Sequence, residues 1–314
     1  MVSKVNSALL LSLLGGLSSV PLGVFFFGPA PILAVGLIFG TSYPPISLAV
    51  AGLVALAWMG GIGAMYYLAL TGIPSALAVQ LSISNNGSSS QIDTSRAITM
   101  VSIFGLCVIL FLSIDLIGLG SKAEHYVESS FQNFFAQFQK QIQTVTDPQQ
   151  RETVSLALSA LGKFAAKISF GALGAASFLI LAVNVALVDT LTNKIGQSSL
   201  TRADYSLTQP PASLSVIFFG MIGLSFFAGD VGKFGLNAAI FLSFPFILIG
   251  LAVIHTIARN CSNETVALWV FYALVFVLGV VLGLLALIAI ILALAGACEF
   301  WFGVRNRVRK SSPD

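Results

Sequence analysis

"VSIFGLCVILFLSIDLIGLG", residues 101–120, is an unbroken apolar run of the length a bilayer crossing needs, and it carries one carboxylate, Asp115, near its end. A hydrocarbon core about 30 Å thick takes roughly 20 apolar residues per helical crossing. Runs of this kind recur along all 314 residues with short polar breaks between them. The chain is 57% hydrophobic and 9% charged, where a soluble domain has about 25% charged residues. Backbone groups in lipid must be hydrogen-bonded internally, which leaves helices or a closed barrel. Barrel strands alternate polar and apolar residues, whereas these runs are continuous in Leu, Ala, Ile and Phe. The fold class is therefore all-α, a polytopic transmembrane bundle of about eight to ten crossings.

Candidate crossings are 5–27, 30–41, 45–60, 62–82, 97–119, 166–190, 213–229, 235–258, 265–282 and 284–303. Three of them raise questions of continuity. The segment around 29–45 is short and ends in "SYPP", and proline removes a backbone donor and restricts its predecessor, so a broken or re-entrant piece is expected there. The run 265–303 would extend about 58 Å as one helix, so it must turn back, with Gly279 or Gly283 as the place. Those two glycines also form "GVVLG", a spacing that allows close helix approach. Gly60-Gly61 should divide 45–82, and Pro245 should kink its helix without ending it. The N-terminal "MVSKVNSALLLSLLGG" reads as an uncleaved first helix, since its apolar character continues to Phe27 with no small-residue cleavage site.

These boundaries give N-terminal membrane helices over 1–119, an extramembrane insertion over 120–165 and C-terminal membrane helices with a basic tail over 166–314. In the insertion, Phe131, Phe134, Phe135 and Phe138 recur at helical spacing among Gln, Asn and Lys. That is an amphipathic helix for the membrane interface or a partner. A second helix, from "QQRETVSLALSALGKFAAKI", should lead into the next crossing. The stretch 83–96, "ISNNGSSSQIDTSR", is expected to be a polar connector.

The net charge of +3 owes most to Arg305, Arg307, Arg309 and Lys310, directly after a hydrophobic segment. Basic residues in that position mark a cytoplasmic loop or bind anionic lipid heads, so no nucleic-acid partner is expected. Lys4, Arg96, Lys194, Arg202, Arg259 and the tail would share one side if both termini are cytoplasmic. The expected location is the bacterial inner (cytoplasmic) membrane, with the bilayer and membrane subunits as partners. Cys107, Cys261 and Cys298 lie far apart and form no paired motif, so neither a zinc site nor a disulfide framework is expected.

No phosphate-binding loop, metalloprotease helix, nucleophile elbow or calcium loop occurs, so no enzyme activity, metal or cofactor is expected. What remains is a sparse set of polar groups in or beside the spans: Asp115, Asn184, Asp189, Asn237, His255 and Glu299. An ionisable residue in a span is a candidate site because a charge at a helix centre costs about 2.5–3.5 kcal/mol on insertion scales. Asp115, Asn184 and His255 are the candidate solute contacts, each with a plainer alternative. Asp115 sits about 6 Å from the helix end, where hydration or Lys122 could serve it. Asn184 could bond another helix, and His255 could cap its helix one turn before Arg259. Glu299, followed by Trp301, Phe302 and then Arg305, fits an interface position with a salt bridge, and Trp301 itself an interface anchor.

The order "LLGGLSSVPLGVFFFGPAPILAVGLIFG" (13–40), "TGIPSALAVQL" (71–81), "PPASLSVIFFG" (210–220), "LIGLAVIHTIAR" (248–259) and "GACEFWFGVRNR" (296–307) resembles the YybS-like family of bacterial integral membrane proteins. That family is in turn distantly similar to the substrate-binding membrane subunits of energy-coupling-factor vitamin transporters. The resemblance implies a multi-pass helical fold and brings no site residues with it. The functional expectation is a transport-related subunit holding a small apolar or amphipathic solute between helices, with a non-catalytic scaffold or assembly factor as the alternative. Replacing Asp115 with Asn separates its two readings: lost activity with normal membrane insertion marks a solute site, and unchanged growth and folding mark an interface residue.

Overall fold

The computed structural model describes residues 2–23, 26–80, 83–86, 89–114, 121–122, 125, 129, 133, 148–194, 208–209 and 211–310. Helix α1 runs Val2–Gly23, α2 Pro29–Phe39 and α3 Pro44–Tyr67, which passes through a π-helical turn, Leu68–Gly72, into α4, Ile73–Gln80. A two-stranded antiparallel hairpin follows, β1 Ile83–Asn86 with β2 Ser89–Ile92, in register from Ile83 opposite Ile92 to Asn86 opposite Ser89. Then come α5 Thr94–Ile114, α6 Pro148–Lys167, α7 Ser169–Lys194, α8 Ala212–Leu224 and α9 Gly229–Arg259. The chain ends in α10 Glu264–Val275, extended by a π-helical Phe276–Val281, α11 Leu285–Phe302 and the short α12 Val304–Lys310.

Among the described residues, six helical stretches are long and apolar enough to cross a membrane: 44–80, 94–113, 169–194, 229–259, 264–281 and 285–302. Three shorter apolar helices, 7–21, 29–39 and 212–224, accompany them. The all-α polytopic expectation holds, with one correction in the connector at 83–96, where part of the backbone pairs as the hairpin. The sequence signal was Gly87-Ser88 between the paired Asn86 and Ser89, a glycine-first dipeptide of the kind that two-residue hairpin turns take. Phe131, Phe134, Phe135, Phe138 and Asp115 lie outside the described residues, so the structure places none of them.

The expected interruptions appear where backbone geometry demands them. Gly60 has φ 72° and ψ 179°, a conformation open only to glycine, and it breaks the 44–80 stretch. Gly283, at φ 72°, makes the turn between α10 and α11. Gly279 instead lies against Leu285 and Ile288 of the same hairpin, so the two glycines divide the work of turning and close packing. Pro29 and Pro44 each open a helix, where the missing proline N–H would have had no helical partner anyway. Pro245 sits inside α9, which continues past it to Arg259.

The chain groups into two compact units. The first comprises 1–105, 175–218 and 242–314, the second 106–174 and 219–241. In the first, α1 and α3 are joined by small polar groups: the Ser47 hydroxyl donates to the Ser12 carbonyl at 2.8 Å, and Ser12 donates to Ala8 at 2.6 Å. Hydroxyls of this kind link helices where no water competes. Within the same unit, α9 meets α11 through Gly250 and Gly296. A Cβ on Gly296 would fall 2.0 Å from the Phe246 carbonyl oxygen, and one on Gly250 2.2 Å from that of Leu292. Only hydrogen fits there, so backbone contact replaces side-chain interdigitation.

The end of this unit is locked electrostatically. Gly303 adopts the left-handed conformation (φ 54°, ψ 41°) and its N–H donates to the Glu299 carbonyl at 2.8 Å, stopping α11. The chain then folds back so that the Glu299 carboxylate accepts from the N–H groups of Val304 (3.0 Å) and Arg305 (3.1 Å) and from Arg305 Nε (3.0 Å). Both side chains are buried, at 4% and 2% exposure.

In the second unit, Asn237 of α9 is fully buried and ties the junction of α6 and α7. Its Oδ1 accepts from the Gly171 N–H at 2.7 Å, and its Nδ2 donates to the carbonyls of Lys167 and Lys233, both at 2.9 Å. The polar residue thus serves the backbone where two helices meet at Ile168.

Gly296→Leu should therefore lower the stability of the detergent-solubilised chain by about 1–3 kcal/mol or prevent its assembly, read by thermal melting and gel filtration. Glu299→Ala, which strands a buried guanidinium, should cost about 3–5 kcal/mol in the same assay. Glu264→Gln, which breaks the half-exposed Arg259–Glu264 pair (52% and 47% exposed), should cost under about 1 kcal/mol.

Candidate functional site

A cleft of about 770 Å³ lies wholly within the first unit. Five helices wall it, and the sequence of each explains its contribution. Short α2, flanked by prolines, presents Leu33 and Leu37, and α4 presents Ala78 and Val79. From α5 come Ala97, Ile98 and Val101, from α7 Phe178 and Leu181, and from α9 Leu248 and Ile249. The floor is apolar and closely packed: Leu33 and Ile249 are each 1% exposed. Small residues on these faces, such as Ala97, Ala182 and Ala252, leave the space open. The volume falls within the about 300–1,000 Å³ of small-molecule pockets, and apolar walls with a few convergent polar groups are their usual makeup.

Four polar residues belong to its lining. Thr94, the first residue of α5, and Thr208 lie together, their hydroxyls 2.6 Å apart. The Gln209 N–H donates to Ser95 Oγ at 2.8 Å and holds the 208–209 segment against the start of α5. His255 and Arg259 enter from the last turns of α9. The His255 Nε2 lies 2.9 Å from the Tyr272 hydroxyl of α10. The Arg259 Nε lies 3.6 Å from Glu264 Oε1 at the start of the same helix. Such an arrangement orients a polar or anionic head and shields an apolar body.

Of the expected solute contacts, His255 lines this cleft. Asn184 does not, although its neighbours Val183 and Val185 do. It is 2% exposed, and its Nδ2 donates to the carbonyls of Phe26 (2.9 Å) and Ile180 (2.8 Å). Phe26 has a φ of 64°, rare for an aromatic residue, and Asn184 thereby secures the bend between α1 and α2. The Ser19 hydroxyl supports the same bend by donating to the Gly28 carbonyl at 2.5 Å and pairing with the Tyr67 hydroxyl. Asp189 is buried and accepts from Asn193 Nδ2 one turn on, at 2.8 Å. Trp301 is half-exposed near the end of α11. The cysteines at 107, 261 and 298 are free thiols.

Sequence reasoning counted Arg259 toward topology and passed over Thr94 and Thr208. His255 and the broken segment 29–45 were its pointers to the site, and that segment supplies Leu33 and Leu37. No signal in a single sequence would have joined Thr94 to Thr208 across 114 residues.

Comparison with known proteins agrees with this architecture. No curated protein and no solved structure matches the chain. The family described as "Predicted membrane protein (DUF2232)" matches residues 7–295, which covers every helix that walls the cleft. That match accords with the YybS-like resemblance and takes in nearly the whole length, so the chain belongs to the DUF2232 family of predicted membrane proteins.

Proposed function

We propose that the chain is a non-catalytic, solute-binding subunit of a transport system in the bacterial cytoplasmic membrane. The observation that carries this reading is the cleft: about 770 Å³ of space left open among five helices, mostly apolar in its lining, with Thr94, Thr208, His255 and Arg259 as the polar members. Interiors pack tightly when nothing is to be held, so an open volume of this size points to a ligand. Broken helices beside it, α2 and the Gly60 break of α3, are the kind of irregular backbone that surrounds sites in transporters.

The distribution of charge supports cytoplasmic termini. Asn260 Nδ2 donates to the Val308 carbonyl at 3.0 Å, which brings the end of α9 and the basic tail together. Arg259, Arg305 and Arg307 thus belong to one end, as the positive-inside rule expects of the cytoplasmic side.

The scaffold reading draws on a different feature. Helix α10 has no buried residue, and Trp269 and Val270 are exposed at 72% and 62%. A face of that kind suits lipid or a neighbouring membrane subunit.

Purification of the native chain in lipid, with identification of what accompanies it, separates the two. A solute-binding transport subunit should bring a stoichiometric ATP-hydrolysing or membrane-coupling subunit, and a small molecule that raises its melting temperature. Recovery only within a large assembly, with no small molecule and no thermal shift, would favour the scaffold.

A further inference from the structure

We infer that the cleft takes a membrane-dissolved amphiphile with an anionic head, its chain along the apolar floor and its head at the His255–Arg259 end. The inference rests on the solute-binding reading and names the class of solute. Its length is the first support. On α9 the lining runs from Leu248 to Arg259, about 16 Å at 1.5 Å per residue. That is close to half of a hydrocarbon core about 30 Å thick, so a chain spanning one leaflet matches it.

Access is the second support. Leu179 and Val183 line the cleft yet remain 43% and 56% exposed. The rim on α7 is therefore apolar, and a solute entering over it comes from the lipid side. A fully hydrophilic solute would have to cross that rim without hydrogen bonds, which is costly.

Charge supplies the third. Among the described residues that line the cleft, Arg259 alone carries a formal charge, and it is positive. Its planar fork of five donors matches a carboxylate or phosphate. His255 sits one turn before it on the same helix and lines the cleft as well. Glu264 is the opposing acid, but its pair with Arg259 is half-exposed and weak for that reason. An arriving headgroup competes with it, so Glu264 sets the affinity without closing the site.

The full chain in nanodiscs of zwitterionic lipid provides the test, titrated with oleate and oleyl phosphate as charged chains, oleyl alcohol as the uncharged chain, and acetate and inorganic phosphate as heads without chains. Dialysis and thermal melting give the readouts. At least one charged chain should bind about tenfold or more tightly than oleyl alcohol, and the free heads should produce no shift. Arg259→Gln should remove the preference, Arg259→Lys keep part of it, and Glu264→Gln strengthen it. Ala97→Phe, which fills the cleft, should abolish binding of every chain.

Equal binding of charged and uncharged chains overturns the anionic head and leaves the solute-binding reading standing. Binding of the free heads as tightly as the charged chains overturns the amphiphile. No binding by any chain overturns both readings. Should Arg259→Gln fail to fold, unchanged affinity in Glu264→Gln is the result that overturns the role of Arg259.

Discussion

A backbone surrounded by hydrocarbon must satisfy its own hydrogen bonds, and the rest of this structure follows from that constraint. Segments that could not run as one straight helix are broken at residues able to leave it, as Gly60 and Gly283 do. Polar side chains inside the bundle answer to the same demand. Asn184 donates to the irregular backbone at Phe26, Asn237 serves the junction at Lys167 and Gly171, and Glu299 receives the exposed N–H groups at the start of α12. Residues that look like candidate sites in the sequence are in these cases the means by which bends in the chain are tolerated in oil.

Packing then distinguishes two kinds of helix contact. Where α9 crosses α11, glycines bring backbones together and no space remains. Where α9 faces α2, α4, α5 and α7, Leu, Val and Ala stand around an open cleft. One helix thus packs closely through Gly250 and walls the cleft through its neighbours Leu248 and Ile249. The same helix ends in His255 and Arg259, so its last turns supply both polar lining for the cleft and the link to the basic tail.

Much of the architecture was legible because its signals are local. Run length fixed the need for a turn near Gly283, a glycine pair marked the break at Gly60, and the prolines marked the starts of α2 and α3. The pairing of Glu299 with Arg305 was also within reach, since the two are six residues apart. The cleft was not, because its walls come from five stretches between Leu33 and Arg259 whose apolar faces look alike in sequence. Asn184 shows the limit most clearly: a mid-span amide reads as a helix tether or a solute contact, and only its partner, Phe26, identifies the bend it serves. The hairpin of β1 and β2 was legible in principle from Gly87-Ser88 and was passed over because its flanks are polar.

The central claim is that the space among α2, α4, α5, α7 and α9 holds a solute drawn from the membrane. The most direct measurement is a cryo-electron microscopy map of the chain in nanodiscs, with a bound antibody fragment to give it sufficient size. The account predicts elongated non-protein density beside Val79, Val101 and Ile249, ending near Arg259. A map in which those helices close together and side chains fill the space would contradict it.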